Sequence, residues 1–214
     1  MKNFVILDLD GTLVDTLEGL TKAANLVMEE FNYPYRYDRE EVKEFIGNGA
    51  RKLFLSLTHR LTFDEKLENE YKVFLQYYEQ NQYTSKPYPT VVSSLKKLNK
   101  NKIKIIIYSN KPNKILHKLV NEVFKGVDFS FIQGQDDRYL PKPDVILLKE
   151  ICYNLRLNPL NGLYVGDSFT DYLTACNMQM DMAFCTYGYV HKGEKEKIHA
   201  HFIDRFDEIF ALLK

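Results

Sequence analysis

The sequence has no excess of charge of either sign: 29 lysine and arginine residues balance 29 aspartate and glutamate residues in a chain of 214. Proteins that hold nucleic acid or an anionic membrane through their overall electrostatic field carry a basic surplus, so we expect neither partner. A local basic pocket for a small anion stays open. Hydrophobic residues make up 45% and charged residues 27%, which is typical of a globular protein with a substantial core.

Cysteines and long apolar runs are scarce. Cys152, Cys176 and Cys185 form no C-x-x-C pair, which argues against a disulfide scaffold or a structural zinc site, and their positions predict small buried side chains. The apolar run from Phe4 to Leu7 is shorter than the ~7–15 residues of a signal-peptide core. No segment reaches the ~18 apolar residues of a membrane span. We therefore expect a cytoplasmic protein; the sequence does not decide between a monomer and a dimer.

The hydrophobic pattern changes period along the chain. Short, partly β-branched apolar runs predict strands at 4–8, 103–108, 129–132, 162–165, 182–186 and 200–203. Helical periodicity predicts later helices at 90–100, 113–124, 144–155, 169–177 and 205–213. Between the first two strands, residues 15–86 show only helical patterns. These include a segment at 16–31, one starting at Asp38, one through Leu53 and Leu57, and one at 64–80.

Local signals refine two of these helices. Thr16 is predicted to cap the helix at 16–31, and Gly19 inside that helix is expected to cost a little stability. Asp38 followed three residues later by Glu41 has the form of a capping box.

Alternation of strands and helices predicts an α/β fold with a parallel sheet, interrupted by a helical insertion. In such sheets, ligands bind at the carboxyl ends of the strands. The residues that follow the predicted strands, or lie in the loops beside them, are therefore the candidates for chemistry: Asp8, Asp10, Ser109, Asn110, Lys142, Asp167 and Asp171.

Each candidate taken alone has an ordinary structural explanation. An aspartate after a strand is often a turn or cap residue, and Ser109 with Asn110 suits a plain helix cap. Lys142 beside a proline is common in surface loops, and Asp167 with Asp171 suits a helix N-terminus. These candidates lie in four separate segments of the chain, and the joint occurrence of the four segments in this order favours a shared site.

The order and spacing of these four segments, over nearly the whole chain, also resemble those of a known family. They resemble the four motifs of the haloacid dehalogenase-like hydrolase superfamily, most closely its phosphoglycolate phosphatase-like branch. The segments are Asp8-Leu9-Asp10-Gly11-Thr12-Leu13, Ser109-Asn110-Lys111-Pro112, Lys142-Pro143, and Gly166-Asp167-Ser168 with Asp171. The resemblance implies a Rossmann-like core made of residues 1–14 and 87–214, with an inserted helical cap domain at 15–86.

Two positions depart from the pattern of this branch. Val145 stands where a second proline often follows the Lys-Pro pair. Gln179 stands where a glycine usually ends the helix after Asp171, which predicts a different helix ending.

The resemblance implies Mg²⁺-dependent phosphoryl transfer through an aspartyl-phosphate. Asp8 would be the nucleophile, and Asp10 would protonate the leaving oxygen and then activate water. Asp8, the backbone carbonyl of Asp10, and Asp167 would bind Mg²⁺, with Asp171 close by or binding through water. Lys142 would hold Asp8 and the phosphate. The remaining implied phosphate-binding residues are Ser109, Asn110, Gly11 and Thr12.

The segment from Ile46 to Arg51 resembles the cap loop that reaches toward the substrate, which implies substrate contacts for Asn48 and Arg51. A solvated arginine on a helix face is an equally good interpretation of Arg51. Tyr187 and Tyr189 lie in a segment that is also common in the branch; they line the mouth of the site or pack in the core or on the surface.

The expected function is hydrolysis of a small phosphorylated metabolite, as in phosphoglycolate phosphatase. The resemblance implies phosphate ester hydrolysis or phosphomutase chemistry rather than carbon–halogen cleavage, because relatives that act as dehalogenases lack an acid at the position of Asp10. A phosphomutase of the β-phosphoglucomutase type, an inorganic pyrophosphatase and a catalytically silent binding module stay open as alternatives.

Overall fold

A computed structural model describes residues 2–191 and 193–214 and divides the chain into two compact units. One unit runs to Asp15 and resumes at Pro87, and the other spans Thr16–Lys86. The strands are β1 (Phe4–Leu7), β2 (Val14–Asp15), β3 (Lys86–Pro87), β4 (Lys104–Pro112), β5 (Phe131–Gln135), β6 (Gly162–Gly166), β7 (Asp181–Cys185) and β8 (His201–Ile203).

Six of these strands form a parallel sheet in the order β5-β4-β1-β6-β7-β8. In β1, Leu7 is opposite Ile107 of β4 and Val165 of β6. The carboxyl ends of β1, β4 and β6 therefore lie side by side, which brings the segments after them together. The α/β fold with a parallel sheet predicted from the sequence is confirmed.

Both faces of the sheet are buried, as parallel sheets require. Val5 and Leu7 pack in one apolar cluster with Ile107, whereas Phe4 and Ile6 pack in a second cluster on the opposite face. The covering helices of this unit, numbered after the helices of the other unit, are α5 (Val91–Lys100), α6 (Asn113–Val123), α7 (Ile146–Asn154), α8 (Phe169–Asn177) and α9 (Ile209–Leu212). Three short 3₁₀ turns lie at Pro159–Asn161, Lys195–Lys197 and Phe206–Glu208.

The bounds of two strands were predicted wrongly. The strand predicted at 103–108, β4, continues through Pro112, because the chain resumes its pairing with β5 at Pro112 and Gln135 after a shift of register that follows Tyr108. β5 itself begins at Phe131, two residues later than predicted. Phe129 belongs to the apolar core around Phe124 and not to the hydrogen-bonded strand. The last predicted helix also begins as a 3₁₀ turn.

The second unit is built from helices α1 (Leu17–Glu30), α2 (Arg39–Lys43), α3 (Ala50–Thr58) and α4 (Glu65–Asn81), followed by a 3₁₀ turn at Gln82–Thr84. Its core is aromatic: Phe54 packs against Tyr71 and Phe74, with ring centroids 5.6 and 5.3 Å apart. The α4 stripe predicted from the sequence is buried at Leu67, Tyr71, Phe74 and Tyr78, while Leu75 is half-buried.

The local signals in this unit have mixed outcomes. The Asp38 capping box is confirmed, with Asp38 accepting from the Glu41 N–H and Glu41 accepting from the Asp38 N–H. Thr16 makes no capping hydrogen bond through its side chain, because its backbone is helical where a cap residue needs an extended one. Gly19 was predicted to cost a little stability, but glycine is required at this position. A Cβ there would collide with the Asn81 carbonyl of α4.

The ending of α8 is also not the one predicted. Gln179 takes the left-handed conformation, φ +55°, that glycine usually supplies. Its N–H donates to Cys176 O, and the Met180 N–H donates to Ala175 O, which together form a Schellman ending. The helix therefore ends in the usual way, with a strained residue in the glycine position.

The cysteine prediction holds for two residues of three. Cys152 and Cys185 are buried, but Cys176 is exposed near the end of α8. Among residues 2–191 and 193–214, no helix is both long enough and apolar enough to cross a membrane.

Candidate active site

The first part of the site is the turn that follows β1. The Asp8 N–H donates to Val165 O at 3.0 Å, so Asp8 continues the pairing of β1 with β6. The Leu9 carbonyl then accepts from the N–H groups of Thr12, Leu13 and Val14, and the chain reverses through Gly11 at φ +85°. A Cβ at Gly11 would overlap the Asp167 carboxylate, so only glycine lets these two segments approach.

Lys142 lies between two of the predicted acids. Its Nζ is 2.9 Å from Asp8 Oδ1 and 2.7 Å from Asp171 Oδ1, and all three side chains are largely or wholly buried. Burial lowers the pKa of Lys142, but attraction to Asp171 and Asp8 outweighs that effect and holds the pKa well above its usual value. Lys142 is therefore a fixed positive charge beside the predicted nucleophile.

The acids outnumber this one cation. Burial raises the pKa of Asp8 to about 6; Lys142 opposes the shift, and repulsion from Asp171 and Asp10 adds to it. Burial also raises the pKa of Asp167 well above its usual range, with Asp171 and Asp8 adding repulsion. The site therefore has a deficit of positive charge that a bound cation would relieve.

The same acids form a group suited to a metal ion. One carboxylate oxygen from each of Asp8, Asp167 and Asp171 can be chosen so that all lie within 4.8 Å of one another. Asp8 Oδ1 receives no well-directed hydrogen bond from any residue the structure describes. Buried oxygen ligands with excess negative charge fit a hard divalent cation. Asp10 contributes no side-chain oxygen to this group.

Neighbouring residues hold the acids in place. Thr12 donates its hydroxyl to Asp167 Oδ1 at 2.7 Å, and the Tyr189 N–H donates to Asp167 Oδ2 at 2.6 Å. The fully buried Tyr164 donates its hydroxyl to Asp171 Oδ1 at 3.0 Å. Asp171 also forms a capping box with Ser168 at the start of α8, so the structural explanation of this acid holds as well.

The predicted phosphate-binding residues lie at the same edge of the sheet. The Asn110 amide oxygen accepts from the Lys142 N–H at 2.7 Å, and its NH₂ donates to Lys142 O at 3.3 Å, so Asn110 fixes the Lys142 backbone. The Ser109 hydroxyl oxygen accepts from the Lys111 N–H. The N–H groups of Gly11 and Thr12 are used inside the turn, on Val14 O and Leu9 O. Phosphate contacts by these residues stay predictions.

In the helical unit, Arg51 donates to both carboxylate oxygens of Glu68, one of them at 3.1 Å, and its guanidinium lies 3.9 Å from the Phe63 ring centroid. Asn48 is exposed in the loop before α3. Substrate contact by either residue stays a prediction.

Sequence reasoning missed several residues of the site. Lys111 is wholly buried with its Nζ 3.0 Å from Asp10 Oδ1, although it lies within a motif that was singled out. The available signal was a lysine in the short segment that follows a predicted buried strand. Tyr164 gave no signal, because it is one aromatic residue in an apolar strand. Gly188 is needed because a Cβ there would overlap Asp167 and the Gly11 carbonyl.

The chain is similar to known proteins in both sequence and fold. The sequence profile of the haloacid dehalogenase-like hydrolases matches residues 5–185. Phosphoglycolate phosphatase 1 of Pseudomonas aeruginosa is 34% identical over 196 residues, which cover 89% of this chain and 72% of that protein. Phosphoglycolate phosphatase of Psychrobacter arcticus is 29% identical over 222 residues, which cover 99% of this chain and 94% of that protein.

Among solved structures, a predicted phosphoglycolate phosphatase from Haemophilus somnus matches with a TM-score of 0.88 and 26% identity, covering 100% of this chain and 98% of that one. The fold is that of a Rossmann-like hydrolase. The chain belongs to the haloacid dehalogenase-like hydrolase family, which confirms the resemblance seen in its motifs. Within that family it is a phosphatase, a phosphoric monoester hydrolase.

Proposed function

We propose that this phosphatase is Mg²⁺-dependent and hydrolyses a small phosphate monoester through an aspartyl-phosphate on Asp8. The observation that carries the proposal is the buried group of Asp8, Asp167 and Asp171, with the ammonium of Lys142 against Asp8 and Asp171. A carboxylate that attacks a phosphate dianion meets like-charge repulsion, and a site built only of acids would prevent the reaction. Lys142 offsets part of this repulsion.

Asp8, Asp167 and Asp171, with the backbone carbonyl of Asp10, would hold the metal ion. When bound, Mg²⁺ supplies positive charge that offsets the charge of the phosphoryl oxygens. Lys142 fixes the orientation of Asp8, and Thr12 fixes that of Asp167. These contacts keep the acids preorganised, which is the main source of rate enhancement in phosphoryl transfer.

The reaction has two steps. In the first, an Asp8 oxygen attacks phosphorus, the bond from phosphorus to the ester oxygen breaks, and Asp10 gives its proton to the leaving oxygen. In the second, Asp10 takes a proton from water, whose oxygen attacks phosphorus; inorganic phosphate leaves and the Asp8 carboxylate is restored.

Phosphoglycolate is the substrate we propose first, because the curated relatives carry that name. The proposal also includes a cap role for the helical unit, substrate contacts by Asn48 and Arg51, and action in the cytoplasm, all of which rest on the resemblance. Sugar phosphates, nucleotides and pyrophosphate are the competing substrates for the assay.

The test is release of p-nitrophenol from p-nitrophenyl phosphate with Mg²⁺, with EDTA, and with Asp8→Asn. We expect turnover only with Mg²⁺ and an intact Asp8, and full activity in the matched control Asp128→Asn, which changes an exposed aspartate. Borohydride reduction of the enzyme during turnover should convert Asp8 to homoserine, because borohydride reduces an acyl phosphate. Turnover by Asp8→Asn would contradict the proposal.

A metabolite panel then separates the alternatives. Phosphate release from phosphoglycolate that weakens in Arg51→Ala supports the proposed substrate and the cap contact. Isomerisation of a sugar phosphate without phosphate release indicates a mutase, and preference for pyrophosphate indicates a pyrophosphatase. Substrate binding without any turnover indicates a binding module.

A further inference from the structure

Lys111 is a buried cation that the proposed mechanism does not use. Its side chain is wholly inaccessible to solvent, and its Nζ lies 3.0 Å from Asp10 Oδ1. An ammonium without a counterion in the interior would cost several kcal/mol, and the Asp10 carboxylate supplies a counterion at hydrogen-bond distance. The partner is the predicted acid and base of the reaction.

The backbone of Lys111 is held as firmly as its side chain. Its N–H donates to the Ser109 hydroxyl, and its carbonyl lies so close to Gly134 of β5 that a Cβ there would approach to 2.6 Å. Lys111 lies on β4, the strand next to β1, so it reaches Asp10 from a neighbouring strand. The sheet itself therefore fixes the point from which the ammonium reaches Asp10.

The two buried lysines divide the acids between them. Lys142 contacts Asp8 and Asp171, which belong to the candidate metal group, and Lys111 contacts Asp10, whose side chain does not. Asp8 and Asp10 are only two residues apart, and both carboxylates would be attracted to the same cation. Because Lys111 gives Asp10 an ammonium of its own, the Asp10 carboxylate does not compete with Asp8 for the same cation.

We propose that Lys111 is a positioning residue that holds the Asp10 carboxylate for proton transfer to and from the substrate oxygen. This inference rests on the proposed function. The proton moves between Asp10 and the ester oxygen as the bond from phosphorus to oxygen breaks, and the bonding electron pair stays on the oxygen. Lys111 gives up no proton; it fixes the orientation of the carboxylate.

The test compares two leaving groups. Nitrophenolate leaves readily without protonation, whereas an alkyl oxygen, as in phosphoglycolate or glycerol phosphate, requires the acid. In Lys111→Met we expect kcat on the alkyl ester to fall about 100-fold, the scale of general acid catalysis, with KM changed by less than about 2-fold. On p-nitrophenyl phosphate we expect kcat to fall less than about 10-fold.

Three controls keep the result interpretable. In Asp10→Asn, kcat should likewise fall more on the alkyl ester than on p-nitrophenyl phosphate, which is the same bias between leaving groups. The exposed control Lys149→Met should behave as wild type. Circular dichroism checks folding. Lys111→Gln keeps a hydrogen-bond donor for Asp10 and serves if the methionine variant does not fold; we expect the same bias to a smaller extent.

Several outcomes would overturn the inference. An equal loss on both esters would mean that Lys111 only supports the structure, and a raised KM with unchanged kcat would make it a substrate contact. A bias in Asp10→Asn without one in Lys111→Met or Lys111→Gln sinks this inference alone. Turnover by Asp8→Asn, or no bias in Asp10→Asn, instead shows that the proposed function has failed.

Discussion

The Lys142 ammonium lies 2.7 Å from Asp171 Oδ1, and both side chains are almost completely buried. Asp171 also accepts hydrogen bonds from the hydroxyl groups of Tyr164 and Ser168, which hold its carboxylate in place. The pair joins the loop before α7 to the start of α8. Removing one partner leaves an uncompensated charge in the interior.

Lys142→Met should therefore abolish turnover and, in EDTA, lower the free energy of unfolding by about 3–5 kcal/mol, the usual cost of breaking a buried ion pair. The double variant Lys142→Met/Asp171→Asn should recover part of the stability and none of the activity, because the charge imbalance shrinks. Urea denaturation of both variants measures the coupling. Purely additive losses of stability would show that the two charges act independently.

Stability should depend on pH and on Mg²⁺ together. Burial raises the pKa of Asp8 from 3.8 to about 6, so the folded protein binds more protons than the unfolded chain within that window. Without metal, the contribution of Asp8 to stability is therefore lost as pH rises from about 4 to about 6. Mg²⁺ competes with protons for these carboxylates, so its stabilising effect should be small at low pH and grow toward neutrality.

Thermal melting with Mg²⁺ and with EDTA across this pH range measures that effect. Asp8→Asn removes one of the competing groups and should flatten the dependence. A shift in melting temperature that is equal at every pH would mean that Mg²⁺ binds outside the acid group.

Gly188→Ala should weaken metal binding. A Cβ at this position would overlap the Asp167 carboxylate and the Gly11 carbonyl, and the next residue, Tyr189, donates its N–H to Asp167. We expect Mg²⁺ affinity to fall about 10–100-fold, as for other residues that orient a metal ligand. Calorimetric titration measures the affinity.

Gly126→Ala is the matched control for this variant. It adds a Cβ at a positive φ with nothing within 4 Å, so it should reduce stability and leave Mg²⁺ affinity unchanged. Equal affinity losses in both variants would mean that the loss in Gly188→Ala reflects general destabilisation.

Gln179→Gly should stabilise the protein. Gln179 holds φ +55° at the end of α8, where glycine avoids the steric cost of a Cβ. We expect a gain of about 0.5–1 kcal/mol in the free energy of unfolding, measured by urea denaturation. Gln179→Ala keeps the Cβ and should bring no such gain; an equal gain in both would locate the cause in the side chain.

Much of the fold was predictable because its signals are local. Apolar runs such as Phe4–Leu7 are buried on both faces of the sheet, so their hydrophobic pattern is continuous and easy to recognise. The capping box at Asp38 and Glu41 is likewise a short-range pattern. Errors arose where a distant neighbour overruled the pattern: β5 begins late because of its pairing with β4, and Gly19 is required by α4.

The candidate site divides in the same way. The acids and Lys142 were found because their spacing along the chain follows the motifs of the family. The pairing of Lys111 with Asp10 was not predictable, since 101 residues separate them and only the neighbouring strands bring them together. The hydrogen bonds between the side-chain amide of Asn110 and the Lys142 backbone were not predictable either, because 32 residues separate the two.

The sequence by itself determined the order of strands and helices, the family, and which acids follow the strands of the sheet, because hydrophobic period and motif spacing are properties of the linear chain. Only the tertiary structure decided which lysine forms an ion pair with which acid. It also decided that Asp8, Asp167 and Asp171 share a group from which Asp10 is apart. Those relationships depend on the parallel order of β4, β1 and β6 and on how deeply each charge is buried, and burial sets the energy of every charge in the site.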